Sequence, residues 1–188
     1  HVLHEHFVAP TPDRKATSAP RPWPPVAEPG ERRYPFSLTT GRLRDQWHGM
    51  TRTGTLGRLF GHVPEPVVQL HPQDMERRGL REGDLVQVKS QRGAIVLPLQ
   101  ASASLGLTQA FIAMHWGAET LSGRSSSGEV LAGVNALTTS AHCPISKQPE
   151  LKHTAVKVVK AELPWTLLAL AWLPGDSALS TLTALRAT

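Results

Sequence analysis

Cysteine is almost absent: Cys143 stands alone among 188 residues. A single thiol excludes an intrachain disulfide framework, and it excludes any iron–sulfur cluster held by this chain by itself, since both need several thiolates. The composition suits a reducing compartment, and a cytoplasmic location is the expectation. Aromatic residues are also scarce, at 5%. The net charge of +5 comes from lysines and arginines scattered along the chain, whereas a nucleic-acid face would cluster them with aromatics. No nucleic-acid partner is expected. Long apolar runs are missing too. The longest, residues 163–173, contains Pro164 and falls far short of the roughly 20 residues that span a bilayer. No membrane partner and no secretory leader are expected. His1, His4 and His6 have no second group of ligands beside them, so they read as an extended arm and no metal site is assigned. The start at His1, in mid-pattern, reads as a piece of a longer polypeptide.

What is present begins with proline. Half of the 16 prolines lie from Pro10 to Pro35, in a stretch with little apolar pattern, which is linker composition. Residues 34–38, Tyr-Pro-Phe-Ser-Leu, then suit a strand that delivers a different kind of segment. Residues 39–54 hold three arginines, four threonines, three glycines, one His and one Trp, with neither helical nor strand periodicity. Arginine forks and threonine hydroxyls are donors suited to phosphate oxygens, and Gly41 leaves the backbone open to an anion. Trp47 offers a flat apolar face, and His48 can donate or accept. A loop for a phosphate-bearing heterocycle is one reading. A basic surface loop with Trp47 in the core is the other.

Farther on, residues 67–70 read as a short strand and residues 71–78 as a short helix, with Pro72 early, acids ahead of bases and Gly79 as the stop. Residues 85–89 and 94–99 alternate like the two strands of a hairpin about a Gln-Arg-Gly turn. Residues 109–114 suit a buried strand ending in His115-Trp116-Gly117, and residues 154–159 a last one. Residues 121–133, rich in Ser and Gly, read as a mobile loop. Six short strands with few helical turns make a closed or nearly closed barrel the natural architecture.

The motifs Thr39-Thr40-Gly41-Arg42, Trp47-His48, Met50-Thr51-Arg52-Thr53-Gly54 and Gly79-Leu80-Arg81-Glu82-Gly83-Asp84, followed by Asn135 and by Pro144-Ile145-Ser146-Lys147-Gln148-Pro149-Glu150-Leu151-Lys152, closely resemble the C-terminal dinucleotide-binding domain of molybdopterin oxidoreductases, most of all bacterial assimilatory nitrate reductase. The resemblance implies a mainly β fold with short helices, a six-stranded double-psi β-barrel, with an extended N-terminal arm and an apolar C-terminal tail. It divides the chain into an arm from an upstream domain (1–33), a molybdopterin dinucleotide-binding barrel (34–163) and a tail (164–188). It implies binding of molybdopterin guanine dinucleotide, two copies of which hold the molybdenum of the full enzyme, through Thr39, Thr40, Gly41, Arg42, Trp47, His48, Thr51, Arg52, Asn135, Gln148 and Lys152. Arg42 and Lys152 suit pyrophosphate charge, and the Asn135 amide suits a purine or pterin edge. No catalytic residue is assigned, and the iron–sulfur cysteines and the metal-ligating residue are expected in upstream catalytic domains, which are the partners. The isolated domain is expected to be inactive. Cys143 stands where many relatives carry an acid before proline, and it reads as a small buried filler. The alternatives are another molybdopterin oxidoreductase such as formate dehydrogenase, or a stand-alone β-barrel interaction module.

Overall fold

A computed structural model of the chain describes residue 12 and residues 25–47, 62–117, 121–130, 133–144, 146–162 and 172–187. The strands are β1 (Phe36–Gly41), β2 (Val68–Leu70), β3 (Leu85–Lys89), β4 (Gly93–Ala101), β5 (Gln109–Ala113), β6 (Ser122–Ser125) and β7 (Thr154–Lys160). Helix α1 (Pro72–Arg77) follows β2, and α2 (Ala178–Ala187) lies in the tail. Neighbouring strands run β2-β5-β1-β7-β3-β4, and a parallel β2–β4 pairing closes the ring into a six-stranded double-psi barrel. A second parallel pair, β1 with β5, lies within it.

Every barrel strand turns alternate residues inward, as the two-residue repeat requires. Phe36 and Leu38 of β1, Val86 and Val88 of β3, Ile95, Leu97 and Leu99 of β4, Ile112 of β5, and Val156 and Val158 of β7 form one buried cluster. Met75 and Leu80 close one end of that cluster, while Val134 and Leu137, from the 3-10 turn Val134–Leu137, enter it near the other.

β4 carries a proline in mid-strand, and its position explains why it is tolerated. Leu99 N donates to Asp84 O on the β3 side (2.9 Å), so the nitrogen of the preceding Pro98 faces the opposite edge. On that edge β6 pairs with residues 93–96 and β2 with residues 99–101. The missing N–H therefore falls in the gap between two partners, where no ladder bond is due.

Helix α1 is built as its sequence predicts at the ends. His71 Nδ1 accepts from Gln73 N (3.2 Å) and Pro72 sits in the first turn. Asp74 does more than favour the helix N-terminus. Its carboxylate is buried, accepts from Thr108 N (2.6 Å) and faces the Arg78 guanidinium at 3.7 Å. Arg78 in turn lies 4.3 Å over the Phe36 ring.

Two sequence expectations need correction. Residues 121–133 are not wholly loop, because β6 adds a seventh strand to the sheet beside β4. Gly123 permits that approach: a Cβ there would meet Ile95 Cγ2 at 2.5 Å. Cys143 is exposed rather than a buried filler. Its Sγ lies 3.4 Å from Ser146 N in a short turn, which places it outside the core. The apolar run at 163–171 lies outside the described residues.

The proline-rich segment makes specific contacts before β1. Glu28 holds Arg92 through two oxygens, at 2.6 and 2.7 Å, and Arg92 Nε donates to Leu137 O (3.0 Å). His153 Nε2 donates to Glu28 O (2.8 Å), and its Nδ1 is hydrogen-bonded to Ser37 Oγ (2.8 Å). Hydrogen bonding to Arg92 holds the Glu28 carboxyl below its usual range. A depressed carboxylate contributes stability above its unfolded pKa and loses that contribution as pH falls through the folded value. The parent should therefore melt above Glu28→Gln at pH 6, and the gap should close as pH drops below about 4.5. Paired melts from pH 6 to 3 test this, and a gap independent of pH would count against the clasp.

Candidate functional site

Strand directions bring the separated motifs to one rim. β1 and β5 run parallel, so their C-terminal ends lie together; β7 runs against β1, so its start lies there as well. The rim thus gathers residues 41–47, 115–117 and 151–153. β3 also runs against β7, so the turn at 90–93 lies near the start of β7, and Arg92 ties it to Glu28 and Leu137.

Hydrogen bonds between main chain and side chain knit this rim. Thr39 Oγ1 donates to Lys152 O (3.1 Å), and Thr40 Oγ1 donates to Leu151 O (2.9 Å). Lys152 Nζ donates to Thr40 O (2.5 Å). An ammonium has three donors, and this bond uses one, so the exposed Lys152 keeps two for an anion. The threonines, by contrast, commit their hydroxyl protons to the protein. Gly41 is required by a neighbour: a Cβ would stand 2.7 Å from Phe111 Cε2.

Beyond Gly41 the chain forms an open cleft of about 420 Å³ lined by Arg42, Leu43, Arg44, Gln46 and Trp47. The Arg42 guanidinium lies 5.0 Å from the Trp47 ring centroid, and Trp47 is 46% exposed, so it is not a core residue. Arg42 makes no hydrogen bond or ion pair among the described residues, which leaves its fork open to an anion. Arg44 is bonded through two nitrogens to Asp45 (3.0 Å each), and Asp45 also meets His62 Nδ1 at 2.8 Å. Leu43 N donates to Nε2 of the buried His115 (3.0 Å). That contact needs an unprotonated Nε2 and anchors the loop to the end of β5.

Thr39, Thr40, Gly41, Arg42, Trp47 and Lys152 therefore lie on one rim. Asn135 is exposed on the 3-10 turn. Its backbone oxygen accepts from Thr138 N (3.1 Å) and Oγ1 (2.6 Å), while its side-chain amide makes no bond among the described residues. Gln148 is exposed, with its carbonyl accepting from Cys143 N (2.8 Å). Neither hydrogen-bonds the other six among the described residues. His48, Thr51 and Arg52 lie outside the described residues. The sequence pattern did not single out Gln46, whose Oε1 is buried with no partner among the described residues, or Arg92, which read as an ordinary turn residue.

The donor set fits a dinucleotide. Arg42 and the free donors of Lys152 suit phosphate, Trp47 offers a ring face, and Gln46 offers an acceptor for a heterocycle N–H. Residues 36–155 match the family model described as the molydopterin dinucleotide binding domain, and the chain belongs to that family. The matched span runs from the first residue of β1 into β7. Over 152 residues the chain is 38% identical to the nitrate reductase of Klebsiella oxytoca, a match covering 80% of this chain and 15% of that protein. The chain thus corresponds to a small part of that relative's length. Its fold is similar to acetylene hydratase from Pelobacter acetylenicus, with a TM-score of 0.55 and 20% identity, over 68% of this chain and 18% of the other. Among the described residues no helix is long and apolar enough to cross a membrane.

Proposed function

We propose that this chain is the C-terminal domain of a molybdenum-dependent nitrate reductase of the assimilatory, cytoplasmic kind. In this reading it covers molybdopterin guanine dinucleotide held by upstream catalytic domains that carry the iron–sulfur cluster and the metal ligands. The observation that carries it is that Lys152, bonded to Thr40 O, lies on the same rim as Arg42 in a barrel of this family. The similarity to the Klebsiella oxytoca nitrate reductase supports the choice of parent enzyme. When bound, the cofactor would supply the metal at which nitrate takes two electrons and two protons to give nitrite and water. The chain's own residues would bind and orient. Arg42 and Lys152 would neutralise pyrophosphate, Trp47 would flank a ring, and Asn135, Gln148, His48, Thr51 and Arg52 would complete the contacts from the surrounding loops. Thr39 and Thr40 would act by holding residues 151–152 against β1, and Gly41 by letting β1 lie against Phe111.

The test is made on the full-length enzyme. Mild acid hydrolysis should release GMP in proportion to molybdenum, and a reduced viologen should drive nitrate to nitrite. Release of CMP, or turnover of formate with none of nitrate, would overturn the corresponding part of the reading.

A further inference from the structure

An amide oxygen with no donor is costly to bury, and proteins leave few of them. Gln46 is 4% exposed, and its Oε1 has no hydrogen-bond partner among the described residues. Several donors of residues 43–46 are committed elsewhere. Gln46 N donates to Leu43 O (3.3 Å), Leu43 N donates to His115, and the Arg44 fork is taken by Asp45. The same cleft carries the opposite imbalance, because the exposed Arg42 guanidinium lies over Trp47 with no ion-pair partner among the described residues.

One open cleft is therefore lined by a residue whose buried acceptor lacks a donor, by a cation without an ion-pair partner among the described residues, and by a half-exposed aromatic face. A ligand satisfying all three has an anionic group joined to a flat heterocycle that presents N–H groups. We propose that Gln46 is a recognition residue whose Oε1 accepts from the N–H edge of a 2-amino-4-oxo pyrimidine ring. Guanine and pterin share that edge, so the residue would read either end of the cofactor, and the inference rests on the function proposed above. A ring without such donors would leave Oε1 unsatisfied and gain nothing from it.

Because the acceptor has no partner among the described residues, its removal should leave the unliganded fold intact. Gln46→Met keeps length and burial while deleting the acceptor; Gln46→Glu keeps an acceptor in place. The 188-residue chain and both variants would be titrated with GDP and, separately, with neopterin, following the fluorescence of the tryptophans, and melted without ligand. Gln46→Met should weaken binding about five- to tenfold, the scale of one neutral hydrogen bond, and should melt no lower than the parent. Gln46→Glu should bind more tightly than Gln46→Met. Loss confined to GDP assigns the contact to guanine, and loss confined to neopterin assigns it to pterin. Unchanged binding of both probes by Gln46→Met overturns the inference, as does a lower melting temperature with binding intact, which would make Gln46 a packing residue. If Arg42→Ala loses GDP while Gln46→Met does not, this inference alone fails. If the parent binds neither probe, the inference fails, while the proposed function is judged separately by GMP release and nitrate turnover in the full-length enzyme.

Discussion

Phe36→Ala should lower the melting temperature by roughly 6–20 °C. A fully buried Phe cut to Ala costs about 3–5 kcal/mol in transfer and cavity terms, and for a chain of this size each kcal/mol moves the midpoint by about 2–4 °C. The loss is large against the roughly 5–15 kcal/mol that holds a typical domain. Phe36 merits the test because of where it stands. It opens the strand that delivers Thr39 to Arg42, pairs with Val156 of β7, and lies under the Arg78 guanidinium that faces buried Asp74. Thermal melts followed by circular dichroism give the answer, and a shift under 2 °C would mean that the core is not organised around β1.

The second large effect is on retention of cofactor. In the full-length enzyme Arg42→Ala and Lys152→Ala should each weaken retention by roughly 10- to 150-fold, because a hydrogen bond to a charged group is worth about 1.5–3 kcal/mol. The two should differ in stability. Among the described residues Arg42 gives up only its contact with Trp47, whereas Lys152 gives up its bond to Thr40 O. Binding through phosphate is screened by salt, with a Debye length near 10 Å at 0.1 M, so both variants should show a flatter salt dependence than the parent. Asn135→Ala serves as the contrast. Its side chain makes no bond among the described residues and its turn is held by a backbone carbonyl, so it should weaken retention while keeping the parent's salt dependence and melting temperature. Guanine nucleotide release across a salt series separates the cases. Unchanged release from both cation variants would remove the phosphate assignment.

Much of the barrel was legible because its strands carry their own signal. The alternation of Val86, Val88, Ile95 and Leu97 marks β3 and β4 before any partner is known. β6 carries no such signal. Ser122-Gly123-Arg124-Ser125 joins the sheet through backbone pairing with Gly93 to Val96, and its glycine is selected by the approach of Ile95. The candidate site divides the same way. Gly41, Arg42 and Lys152 were legible as residue types in a motif. The Glu28–Arg92 pair spans 64 positions and His153 meets Glu28 across 125, so no local pattern announces either contact. Gln46 was hidden for another reason: an amide in a polar loop looks solvated until its burial is known.

The pairing of β1 with β7 also sets an order of events. Phe36 meets Val156, and Lys152 meets Thr40, across more than a hundred residues. Contacts so distant in sequence carry a heavy loop-closure cost and slow the search for the native topology. On the ribosome β1 emerges well before β7, so the rim cannot be completed until nearly the whole barrel has left the exit tunnel. A cofactor that needs both sides of that rim is therefore loaded late, onto a chain whose earlier strands have already been made.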